Sequence, residues 1–319
     1  MEPVNLKSGY PMRDPWGIVS RYDSDFFVSF SSLNGNNQAT LAGEYLQWDE
    51  YRQNIFESGI TSDLLKRLTF MYSRGDPIAA LVHRVQDDVH FIEARTLSMR
   101  IRAAKFTGKP LDQSFGYLCG YERYQGFSYC AIALLSMPNK SDFETLGNLL
   151  PTSPDYRSYA FEVLLKAFLP DWKLIKKYPR KEQAKNHLSW ADPFVRALSV
   201  APDKRAQALA QYMKSWGRLM TPYGWKPTRI YCPLDADGMQ IDPECNGDRL
   251  FIDFAFEAAL AVCAYDLDDS SFRDHPYYPR DLVDYYRANI RHTRDAWRAQ
   301  GLGADIEIEP PPLPKKLDL

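Results

Sequence analysis

Apolar residues recur at helical spacing over most of this chain. Between residues 44 and 72, Tyr45, Trp48, Tyr51, Ile55 and Phe56, then Leu64, Leu65, Leu68, Met71 and Tyr72, fall on repeating faces. That is the period of an amphipathic helix with one side buried. Gly59 followed by Thr61 or Ser62 predicts a break and a new N-cap between two helices. Asp76-Pro77 predicts a further helix start, with Asp76 as N-cap and Pro77 in the first helical position. That helix runs to Phe106 and ends before Gly108. Residues 117–136 form an aromatic and small-residue helix that stops near Pro138. The second half repeats the style, with helices expected over 155–168, 180–199, 204–220, 247–265 and 279–299.

The polar and breaker residues set the boundaries. Residues 1–40 are rich in Pro, Gly, Ser and Asn and predict an extended arm with one short strand, Phe26-Phe27-Val28-Ser29-Phe30. Pro151-Thr152-Ser153-Pro154 makes a turn and a domain boundary. Residues 225–246 are a long irregular segment carrying Pro, Gly and acids. The tail carries Pro310, Pro311, Pro312 and Pro314 and is extended and polyproline-like. The expected fold is mostly α: helical bundles with an extended N-terminal arm and a Pro-rich C-terminal tail, and at most minor β. Its parts are an arm at 1–40, an N-terminal helical region at 41–150, a C-terminal helical domain at 151–300 and a tail at 301–319.

Composition narrows the function class more than the fold. Of the 319 residues, 45% are hydrophobic and 25% charged, the profile of a globular chain with a core to bury. No apolar run approaches the ~20 residues that span a bilayer, so no membrane partner is expected. The N-terminus lacks the basic-then-apolar pattern of a secretory leader. Five scattered cysteines, Cys119, Cys130, Cys232, Cys245 and Cys263, form no C-x-x-C pair. They read as buried thiols of a reducing cytoplasm, the alternative being a Cys232–Cys245 disulfide.

The net charge of −2 hides an asymmetry. Residues 163–229 carry 14 basic and 4 acidic residues, whereas residues 230–290 carry 4 basic and 13 acidic ones. The bland account is that the two segments fold against each other or are solvated faces. The functional account is that the acidic part meets a basic partner, since opposed potentials speed encounter and reject wrong partners. The basic run Lys176, Lys177, Arg180, Lys181 and Lys185 lies near Trp172, Tyr178 and Trp190. No helix-turn-helix, zinc or RNA-binding motif accompanies it, so direct nucleic-acid binding is not expected.

Chemistry-bearing patterns are few. His83, Asp87 and His90 stand at i, i+4 and i+7 of one expected helix and offer a metal-ligating face, but three ligands from one helix need a fourth from elsewhere. The competing account is a polar stripe in which Asp88 and Glu93 pair with cations such as Arg84 and Arg95. Asp235-Ala236-Asp237-Gly238 opens like a calcium loop, yet its glycine comes at position four rather than six. His275 with Ser270 and Ser271 lacks the nucleophile elbow of a hydrolase. The glycine-rich phosphate loops are absent too. The chain is therefore expected to be no enzyme and to hold no cofactor and no metal.

The densest signal lies at 256–285. Phe256-Glu257-Ala258-Ala259 opens a helix of small and aromatic residues. Asp266–Asp269 make its turn, where Ser270 or Ser271 can accept hydrogen bonds from exposed backbone N–H groups. Asp274-His275-Pro276 restarts the chain, because a residue before proline avoids the helical region. Pro279 suits the first position of the last helix, with Asp281 near its positive end and Leu282, Val283, Tyr286, Ile290 and Trp297 as its buried face.

This run, from Phe256-Glu257-Ala258-Ala259 through Asp268-Asp269-Ser270-Ser271-Phe272-Arg273-Asp274-His275-Pro276-Tyr277-Tyr278-Pro279-Arg280-Asp281-Leu282-Val283-Asp284-Tyr285, resembles the C-terminal domain of PoNi-type bacterial immunity proteins. The likeness is specific over this run and softer over 155–300. The segment 225–246 and the Pro-rich tail depart from the family's compact pattern. The resemblance implies an all-α fold, no cofactor, and a tight protein partner: a secreted antibacterial nuclease, commonly a DNase delivered by type VI secretion or a contact-dependent system. A signature shared among inhibitors of divergent toxins holds the fold rather than reads a partner. Ser270, His275, Pro276, Tyr277, Tyr278, Pro279 and Leu282 are therefore structural. Contact is expected from Asp235, Asp237, Asp242, Glu244 and Asp248, with Asp266, Asp268, Asp269 and Asp274 at the edge. The competing functions are a helical adaptor without a toxin partner, or a metal-dependent hydrolase using His83, Asp87 and His90.

Overall fold

The computed structural model describes residues 159–168, 190–220, 254–299 and 307–311, together with residues 68–69, 71–73, 75–86, 88, 101, 104–105, 108, 131–133 and 135–136. Among the described residues 74% are helical and no strand occurs, so the mostly-α expectation holds. The expected strand at 26–30, the irregular segment 225–246 and the basic run at 176–185 lie outside them.

Six helices form the C-terminal bundle: α1 (Tyr159–Phe168), α2 (Ala191–Leu198), α3 (Arg205–Met220), α4 (Phe256–Tyr265), α5 (Arg280–Asn289) and α6 (Arg291–Ala299). A single 3-10 turn, Pro202–Lys204, leads into α3. Helix α4 is central and packs against α1, α3 and α5. It is buried along its whole described length from Phe256 to Ala264, because Ala258, Ala259, Ala261 and Ala264 let neighbours approach while Phe256, Leu260 and Val262 fill the gaps. Helix α3 is one-sided. Leu209, Tyr212, Met213, Trp216 and Met220 turn inward, while Gln207, Gln211, Lys214 and Arg218 face solvent.

Several helix boundaries differ from the periodicity reading: in the helix expected over 180–199, the described helix starts at Ala191 after its N-cap Trp190 and ends at Leu198. The helix expected over 247–265 begins at Phe256, because Ala255 gives its N–H to the Tyr277 carbonyl at 2.8 Å instead of to a helical turn. The helix expected over 279–299 is two helices that part at Ile290, where φ reaches −114°. There the Asn289 side-chain amide donates to the Tyr285 carbonyl at 2.9 Å and takes an acceptor of the last turn. Pro279 is the N-cap rather than the first helical residue. The side chain of Trp297 lies outside the described residues, whereas Leu282, Val283, Tyr286 and Ile290 are buried as expected.

In the N-terminal half, residues 78–86 are helical and the Pro77 carbonyl accepts from Leu81 N–H, so Pro77 caps this helix and Asp76 precedes it. Gly108, at φ 67°, bonds back to the Ala104 carbonyl and closes the stretch where the sequence places its end. Tyr72 ties this half to the bundle. Its ring meets Phe254 and Phe256 edge-on at 5.0 and 5.3 Å, and its hydroxyl donates to Asp281 Oδ1.

Candidate functional site

The loop between α4 and α5 holds most of the signature residues, and its acids are arranged in two tiers. The inner tier begins at the end of α4. Asp266 sits in the left-handed region at φ 50°, and Leu267 N–H bonds to the Val262 carbonyl at 3.0 Å. That six-to-one bond defines a Schellman ending, whose left-handed position is most often glycine. An aspartate there puts negative charge at the negative end of a helix, which is unfavourable on its own. Two arginines of α6 offset it: Arg294 Nη2 lies 2.7 Å from Asp266 Oδ2, and Arg291 Nε 3.6 Å from Oδ1.

Arg294 is itself buried, at 1% exposure, beneath the rings of Phe168 and Tyr286. Asp266 thereby ties the end of α4 to α6 through two arginines.

Asp269 is the second inner acid, 4% exposed. Its Oδ2 accepts from Arg273 Nη1 and the Tyr278 hydroxyl, both at 3.0 Å, and its Oδ1 accepts from Arg287 Nη1 at 3.1 Å. Arg287 also donates to the Leu267 carbonyl at 3.3 Å. A buried carboxylate with three donors from three parts of the loop and α5 is a structural clamp. Burial, with Asp269 beside it, pushes the Tyr278 hydroxyl far above its ordinary range, so it remains a donor. Burial likewise raises the free Cys263 thiol well above its usual value and leaves it inert.

The outer tier faces solvent. Asp268 accepts from Ser270 N–H at 3.0 Å and from Ser270 Oγ at 2.9 Å. The backbone N–H is the main reason that its carboxyl titrates below the usual range, with the hydroxyl second. The roles expected here are reversed: Ser270 donates and the aspartate accepts, an Asx turn. Asp274 pairs with Arg280 at 2.9 Å, both well exposed. Asp284 on α5 binds Arg273, which this contact holds more firmly protonated. Exposed pairs of this kind contribute about 0–1 kcal/mol. Of the four loop acids singled out in the sequence, Asp268 and Asp274 present carboxylates outward, Asp266 is partly covered and Asp269 is turned inward.

The signature residues carry the loop's shape. Tyr277 stacks on Trp216 at 5.6 Å between centroids. Tyr278 meets Phe272 edge-on at 5.1 Å, and Leu282 is fully buried. His275 Nδ1 accepts from Tyr277 N–H at 3.3 Å, and its half-burial lowers its proton affinity. Pro276 is exposed at the tip, and Pro279 is buried as the cap of α5.

Glu257 is the residue that sequence reasoning missed. It is fully buried in α4, and its Oε1 accepts from the Tyr212 hydroxyl and Trp216 Nε1, each at 2.7 Å. The sequence signal was an acid inside an otherwise apolar helix, and such an acid needs donors.

The five acids expected at the contact surface, Asp235, Asp237, Asp242, Glu244 and Asp248, lie outside the described residues, as do Asp87 and His90. His83 is exposed on its helix, and Asp88 is clamped by Arg84 through Nε at 3.0 Å and Nη2 at 2.5 Å. Among the described residues no three His, Cys, Asp or Glu come together as a metal would require. None of the described helices is long and apolar enough to cross a membrane.

Among the described residues the fold is helical, and most of the α4–α5 loop acids meet arginines of the same fold. Residues 239–282 match the family described as PoNe immunity proteins (PoNi), C-terminal, which supports the PoNi-type resemblance seen in the sequence. The match starts inside the irregular segment that the resemblance had set outside the family's pattern, and it ends at Leu282. Over most of the chain, the fold is similar to the crystal structure of protein PA2201 from Pseudomonas aeruginosa. That likeness has a TM-score of 0.55 and 16% identity over 90% of this chain and 92% of that one, which speaks to the fold alone. No curated protein matches the chain.

Proposed function

We propose that this chain is an immunity protein that binds and neutralises a secreted antibacterial nuclease, protecting the cell that produces both. The observation that carries the reading is the PoNi-type match over 239–282, which coincides with the clamped loop and the start of α5. The effector is a DNase of a type VI or related delivery system, and the chain meets it in the cytoplasm as a stoichiometric inhibitor without chemistry of its own.

The contact surface is the acidic segment upstream of α4, with Asp235, Asp237, Asp242, Glu244 and Asp248, extended by the outward carboxylates of Asp268 and Asp274. Asp266 and Asp269 hold this edge in place from below. A basic DNA-binding cleft is the complementary surface, because a nuclease must attract phosphate. Co-expression with a candidate nuclease effector of this class tests the reading. Growth is restored and cellular DNA stays intact if it is right. Unprotected, degraded DNA at full expression of the chain contradicts it.

A further inference from the structure

The C-terminal tail returns to the bundle. Residues 307–311 form no helix or strand and meet the first residue of α1: Glu309 N–H donates to the Tyr159 hydroxyl at 3.0 Å across 150 residues of sequence. Ile308 is 4% exposed and joins the same core as Tyr159, Pro311 is buried, and Glu307, Glu309 and Pro310 face solvent. Buried positions three apart, with prolines at 310–312, fit a polyproline II helix, which has three residues per turn. The sequence enforces that conformation. Pro310, Pro311 and Pro312 each fix φ and hold the preceding residue extended. A segment already in its bound shape loses little entropy on docking, which is why aromatic grooves recognise proline-rich peptides.

The anchoring hydroxyl is well suited to a neutral backbone donor. Burial, with the carboxylates of Glu309, Glu162 and Glu307 nearby, keeps Tyr159 protonated far above neutral pH.

We propose that the α1 surface around Tyr159 is a peptide-binding site for extended segments with an aliphatic residue three positions before a proline, and that the chain's own Ile308-Glu309-Pro310-Pro311 occupies it in cis. The tail is then a releasable strap, which a competing peptide of the same pattern displaces. This proposal does not rest on the nuclease reading.

A labelled synthetic peptide spanning residues 303–319 tests it by fluorescence anisotropy against the full chain. The Ile308→Asp chain, whose own tail cannot seat, takes up the peptide saturably. The unaltered chain takes it up at least ~10-fold more weakly, because a tethered ligand competes at high effective concentration. A peptide carrying Ile308→Asp does not bind, and adding Tyr159→Phe to the Ile308→Asp chain weakens uptake about fivefold, the value of one hydrogen bond. If Ile308→Asp lowers the chain's helical content, Pro311→Glu replaces it with the same expected outcomes. Equal uptake by altered and unaltered chains, or none by either strap variant, overturns the proposal.

Discussion

At the level of single residues, the two tiers of loop acids separate architecture from surface. Asp269 accepts from Arg273, Arg287 and Tyr278 in a buried setting, so Asp269→Ala leaves three donors without their acceptor. Breaking a buried ion pair from one side costs about 3–5 kcal/mol, whereas Asp268→Ala removes only an exposed turn contact and costs far less. Urea unfolding of the two variants checks the contrast, and equal midpoints would mean that Asp269 is no clamp. His275 gives a pH signature. Its folded-state proton affinity is depressed, so the stability it contributes is complete above the unfolded value near 6.5. As pH falls below that value, the unfolded chain takes the proton first and stability drops until the folded value is passed. His275→Gln flattens this part of the stability–pH curve, measured by thermal unfolding between pH 4.5 and pH 8.

At the level of elements, α4 organises the bundle through small residues and one buried acid. Ala261 has no exposed surface, so Ala261→Leu forces neighbouring helices apart and costs about 1–3 kcal/mol. Glu257→Gln keeps an acceptor for Tyr212 and Trp216, while Glu257→Leu leaves both donors without it. Calorimetry therefore finds Glu257→Leu less stable than Glu257→Gln; the reverse order would remove Glu257 from the packing account. What the sequence made legible here follows from local rules. The buried face of α5 and the turn at Asp266–Asp269 were evident from spacing and capping. The late start of α4 was not, because it depends on the Tyr277 carbonyl across the loop, and the break at Ile290 was not, because apolar spacing does not report the bond from the Asn289 side chain to the Tyr285 carbonyl. The docking of Ile308 beside Tyr159 was equally out of reach: the polyproline conformation is written locally, but its landing site lies 150 residues away.

At the level of the whole molecule, charge distribution is the link to function. The segment 230–290 carries 13 acids against 4 basic residues, yet Asp266, Asp269, Asp274 and Asp284 meet arginines within the fold. The sequence's charge surplus therefore overstates what the loop offers a partner, and under the proposed function recognition rests on residues 235–248 with the outward Asp268 and Asp274. Reversing Asp235, Asp237, Asp242, Glu244 and Asp248 to lysine is expected to weaken capture of the nuclease by at least ~100-fold and to flatten its salt dependence, while leaving the bundle's unfolding midpoint nearly unchanged. Unaltered affinity and salt slope would place recognition elsewhere.

The central claim is that this chain neutralises a nuclease by binding it. The direct measurement is DNA cleavage by the purified nuclease titrated with the purified chain. The account predicts that cleavage falls linearly and stops near equimolar chain, with the complex recovered as one species; cleavage that continues undiminished in excess chain would contradict it.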